Sequence, residues 1–111
     1  MSIRDRVRKI QKDLRDGALT PDMVRESLAE LTGLLGNCTE EYRDAELAFN
    51  PVRLACLKAG GAANRAEIEA KCSPEYVRLR EAQDYMKMTQ QSIVTCRAYL
   101  RSLDEEMRLS R

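Results

Sequence analysis

The sequence predicts an all-α fold whose main body is a hairpin of two long helices. Three observations carry that expectation. Apolar residues return in alternating steps of three and four along two long stretches, 24–59 and 79–107, the spacing of one helix face. Helix-start and helix-stop residues sit at the ends of those stretches: Thr20-Pro21, Gly60-Gly61 and Ser73-Pro74. The composition is 43% hydrophobic but only 5% aromatic, with no Trp and one Phe, a balance that suits helices better than strands. At 111 residues one domain spanning 1–111 is expected, able to bury roughly two-thirds of the surface its unfolded chain exposes.

The first element is short. Ser2 followed by Asp5 resembles a capping signal, and Ile3, Val7, Ile10 and Leu14 repeat at helical spacing until Gly17 ends the run, giving an amphipathic N-terminal helix within 1–17. Its outer face carries Arg4, Arg6, Arg8, Lys9, Lys12 and Arg15. Thr20 before Pro21 is a favoured pairing of N-cap and first-turn residue. It opens a helix over about 20–59 whose register is Val24, Leu28, Leu31, Leu35, Cys38, Tyr42, Ala45, Phe49, Val52, Cys56 and Ala59. Gly33, Gly36 and Pro51 interrupt its propensity without shifting its phase, which predicts a bent helix rather than a broken one. The competing reading ends one helix near Asn37 and another near Asn50, giving three short helices.

Gly60-Gly61 marks a hinge. Asn64 with Glu67 can cap a short linker helix that stops around Cys72. Ser73-Pro74-Glu75 then opens a helix over about 74–109, with the register Leu79, Ala82, Met86, Thr89, Ile93, Cys96, Leu100, Leu103 and Met107. At 1.5 Å per residue such a helix is about 50 Å long, too long for a globule whose radius of gyration is about 13 Å. A hairpin of two such rods covers one side of each. Leu47, Leu54, Leu57, Tyr85 and Tyr99 lie off the seam and predict a further partner. A homo-oligomer, bundle or ring, is therefore expected, with Leu35, Tyr42, Phe49, Val52, Leu79, Met86, Ile93, Leu100 and Leu103 at its interface.

Enzyme chemistry is poorly supplied. The chain has no His, no Gly-rich phosphate loop and no Gly-x-Ser-x-Gly elbow, and adjacent carboxylates such as Glu40 and Glu41 diverge on a helix. Cys38, Cys56, Cys72 and Cys96 form no close pair, so neither a zinc site nor any other cofactor is expected, and reduced thiols in a cytoplasmic, soluble protein are. No uncharged span reaches 18 residues, which predicts no membrane-spanning segment.

Charge is uneven. Residues 1–17 carry six Lys/Arg against three Asp/Glu, 18–48 carry two against seven, and 49–111 carry eleven against eight. On the last helix Arg80, Lys87, Arg101 and Arg108 share one heptad position with Arg97 beside them, while Lys58, Arg65, Lys71 and Arg78 cluster around the bend. Tyr76, Tyr85 and Tyr99 are interspersed. Cations tracking a backbone, with flat rings for bases to stack on, are what single-stranded nucleic acid requires. A solvated helix face with Glu partners four residues away has the same composition.

Three segments share the pattern of a known family: "VRLACLKAGG" ending the first long helix, the linker "RAEIEAKCS", and "SPEYVRLREAQDYMKMTQQSIVTCRAYLRSL". From about Tyr42 to Leu103 the chain resembles phage recombination mediators of the UvsY type. The resemblance implies a helical protein that assembles into a ring, binds single-stranded DNA, and helps load a RecA-like recombinase onto strands covered by a single-strand-binding protein. It also implies DNA contact toward the end of the first long helix, at Arg53 and Lys58. A helical adaptor, inhibitor or assembly factor without nucleic-acid binding is the alternative.

Overall fold

The computed structural model describes residues 3–110, with Ile3 described by its backbone alone. The cap expected at Ser2 and the packing expected of the Ile3 side chain lie outside the described residues. Four helices form, α1 (Ile3–Arg15), α2 (Pro21–Lys58), α3 (Ala63–Lys71) and α4 (Pro74–Leu109), with no strand among the described residues.

Each boundary has a local cause. Gly17 takes φ +67°, and the chain closes α1 with Gly17 N–H donating to the Leu14 carbonyl (3.3 Å) and Ala18 N–H to that of Asp13 (3.0 Å). This pair of bonds is the Schellman arrangement, and it needs a residue that tolerates a left-handed backbone. Thr20 caps α2, its Oγ1 accepting from Met23 N–H at 3.3 Å. α2 then runs unbroken through Pro51, as the maintained phase predicts, and the three-helix alternative does not form. It ends before Gly60 and Gly61, whose φ of +89° and +99° no L side chain adopts readily.

The cap of α3 differs from the sequence expectation. Its N-cap is Ala62, with extended backbone and no side-chain hydrogen bond, so Asn64 lies inside the helix. The other half of the expected box, Glu67, is drawn away to Arg53 on α2, Nε to Oε1 at 2.7 Å. Ser73 joins α3 to α4: its hydroxyl donates to the Ala70 carbonyl (2.6 Å) and accepts from Tyr76 N–H (3.2 Å).

The chain groups into two compact units. Unit 1 comprises α1, α2 as far as Gly36, and α4 from Lys87; unit 2 comprises α2 from Asn37, α3, and α4 as far as Met86. In unit 1, Val7 and Ile10 of α1, Val24 and Leu31 of α2, and Ile93 and Cys96 of α4 form one buried cluster, with Leu28, Leu35, Met88 and Leu100 packed around it. A two-pronged ion pair fastens α1 to α2: Arg6 Nε donates to one carboxylate oxygen of Glu30, and Nη2 donates to the other at 2.7 Å.

Unit 2 is built from smaller side chains. Cys38, Ala45 and Phe49 of α2, Ala66 and Ala70 of α3, and Ala82 of α4 are buried, and the Phe49 ring meets that of Tyr76 at 5.4 Å and 49°. Alanines let helices approach closely, and the ring pair fills what remains. Arg78 of α4 grips Glu41 of α2 through two bonds, 2.7 and 3.2 Å, and Gln83 donates to the Tyr42 hydroxyl at 3.4 Å.

Part of the seam expected to meet a second copy packs within the chain. Phe49 and Ile93 are buried, Leu35 and Leu100 rest on the core of unit 1, and Tyr42, Val52, Leu79, Met86 and Leu103 are half-buried. A hairpin alone would leave one side of each rod bare. Here α1 covers the helix pair in unit 1, and α3 covers it in unit 2.

Candidate nucleic-acid interface

Folding sorts the nine cations expected at a nucleic-acid surface into two groups and sets Tyr85 apart from them. Arg53, Arg65 and Arg78 are engaged with glutamates of their own unit: Glu67 at 2.7 Å, Glu69 at 3.5 Å and Glu41 at 2.7 Å. The Arg78 hydrogen bond holds the Glu41 carboxyl below the usual carboxylate range. Lys58, Lys71 and Arg80 in unit 2, and Lys87, Arg97 and Arg101 in unit 1, are exposed and make no ion pair among the described residues. Tyr85 is half-buried.

The two units also differ in charge. Unit 2 holds seven Lys/Arg against nine Asp/Glu, whereas unit 1 holds twelve against nine. The positive surplus belongs to unit 1, whereas Arg53 and Lys58, where the family resemblance would put DNA contact, belong to unit 2. In unit 1 eight exposed cations make no ion pair among the described residues: Arg8, Lys9, Lys12 and Arg15 on α1, and Lys87, Arg97, Arg101 and Arg108 on α4. Tyr99 stands among the α4 cations in sequence and is exposed, at 38% of its surface.

A groove of about 430 Å³ runs between the two basic helices, lined by Gln11, Leu14 and Arg15 of α1 and by Gln91, Ser92 and Thr95 of α4. Gln91 also belongs to a neighbouring hollow with Lys87, Gln90 and Val94. On another side of α1 a second groove, about 270 Å³, mixes the carboxylates Asp13, Glu26 and Glu30 with the cations Arg6 and Lys9. The α1 cations were legible in the sequence as a charged face. Their placement beside α4 was not, because it depends on Val7 and Ile10 docking into the core of unit 1.

The described residues hold no group of three or more His, Cys, Asp or Glu placed to bind a metal ion. The cysteines are free, and burial pushes the Cys96 thiol upward, which keeps it protonated and unreactive. No described helix is long and apolar enough to cross a membrane. No protein-family model matches the chain, and neither the curated proteins nor the solved structures contain a match.

Proposed function

We propose that this chain is a non-enzymatic, self-associating helical accessory protein of phage DNA recombination, which binds single-stranded DNA in the cytoplasm and assists loading of a RecA-like recombinase. The observation that supports it best is the set of eight exposed, unpaired cations in unit 1, with Tyr99 among them. Cations already paired with glutamate offer a phosphate little, since binding must first break the pair. Unpaired ones release counterions on contact, and that release drives association.

Fluorescence anisotropy of a labelled oligothymidine tests this. Binding is expected at about 50 mM salt and should weaken by several orders of magnitude by about 200 mM if six or more phosphates are neutralised. The triple substitution Lys87→Glu, Arg97→Glu and Arg101→Glu should lower affinity at least tenfold and leave helicity unchanged, since all three side chains are exposed. A second reading, a helical interaction module with no nucleic-acid affinity, draws on the exposed Leu47, Leu54 and Leu57 of α2. It predicts no anisotropy change at any salt concentration.

A further inference from the structure

We infer that the groove between α1 and α4 of unit 1 seats an unstacked base of the bound strand, while Arg15 in its lining, with Arg8 and Lys12 on the same face of α1, holds the flanking phosphates. The inference rests on the single-stranded DNA reading above and specifies where on the chain the strand runs.

Three features of the groove favour that ligand. Its side chains are polar and carry no carboxylate: Arg15 is the only charge in the lining and Leu14 the only apolar group. A docking protein helix would require the reverse, a mostly apolar trough. The side-chain amides of Gln11 and Gln91 make no hydrogen bond within the described chain, so both keep donors and acceptors free. Thr95 donates its hydroxyl proton to the Gln91 carbonyl at 3.0 Å, leaving its oxygen as an acceptor. Such a mixture matches the edge of a nucleobase, which presents donors and acceptors side by side.

Size and charge agree. About 430 Å³ lies within the range, about 300–1,000 Å³, that holds a small organic group. Arg8, Lys12 and Arg15 follow one another at four and three residues, placing three cations along about 10 Å of a single helix face. A paired, stacked base cannot enter a groove; an unpaired one can. The site therefore selects single strands over duplex, and it differs from the groove on another side of α1, whose lining includes three carboxylates.

Oligothymidine anisotropy on the full chain tests the assignment with three variants. Arg8→Gln, Lys12→Gln and Arg15→Gln together should lower affinity about tenfold or more, and should flatten the log–log salt dependence by about 2, at roughly 0.7 per lost contact. The same three positions changed to Glu should show a larger loss. Gln11→Leu with Gln91→Leu removes only neutral groups; it should weaken binding several-fold with the salt slope unchanged. Unlabelled duplex of equal length should compete poorly. Wild-type affinity in the α1 variants, alongside loss in the Lys87, Arg97 and Arg101 variant, overturns the placement while leaving the function standing. Equal competition by duplex overturns base insertion. Absence of wild-type binding removes both the function and this site.

Discussion

Arg65 finds Glu69 four residues on, but the partners of Arg53 and Arg78 lie far away in the sequence. Arg78 follows Glu41 by 37 positions, and Arg53 precedes Glu67 by 14. Neither pair has the four-residue spacing by which a helix advertises its own ion pairs. The Arg78–Glu41 pair makes a testable contribution. The bonded guanidinium lowers the folded-state pKa of Glu41, so its stabilisation is present above the unfolded value, about 4.3, and is lost as pH falls through the folded value. Because both side chains are about half exposed, solvent and salt screen the pair, and its contribution is small. Glu41→Gln should therefore lower the urea midpoint slightly at pH 7, and the difference from wild type should shrink as the pH falls below the unfolded value. A gap that persists in acid would show that the glutamate acts through packing and not through charge.

Helix α2 contains two glycines and a proline and still forms over 38 residues, because its alternate apolar positions are buried at both ends. Val24, Leu31, Cys38 and Ala45, seven apart, are all buried, which is the pattern that packing needs and propensity alone would not sustain. Gly33 and Gly36 have ordinary helical backbone, and a methyl group built on either meets no atom within 4 Å. Gly33→Ala and Gly36→Ala should each stabilise the chain by about 0.5–1 kcal/mol, read as a higher denaturant midpoint. A loss of stability would mean that a partner's backbone lies against this face. Both long helices and their starts at Thr20 and Ser73 were legible because periodicity and capping are local signals. The α3 cap was not, since Glu67 answers to Arg53 across the unit. The basic groove was legible only as two separate charged faces, because nothing in a linear pattern says that α1 folds back onto α4.

At the scale of the whole molecule, internal packing covers much of the main seam but leaves a second apolar stripe. Leu47 and Leu54, seven residues apart on α2, are 63% and 52% exposed, and Leu57 extends the same face. Isolated exposed leucines are ordinary, but three within eleven residues of one helix form a surface that a second chain can bury. Self-association also answers a difficulty in the functional proposal, since eight scattered cations on a 12.7 kDa chain bind weakly alone, and repeating them on one strand raises avidity without any new contact. Sedimentation at micromolar concentration should thus find an assembly, and Leu47→Lys with Leu54→Lys should return it to the monomer. Because both positions are exposed, stability should change by less than about 0.5 kcal/mol each, so loss of assembly would not be loss of fold. The double variant should also bind oligothymidine more weakly on long strands than wild type does, with little difference on strands that fit one subunit. Equal affinity on long strands would uncouple assembly from DNA binding, and a monomeric wild type would leave the leucine stripe to a different protein.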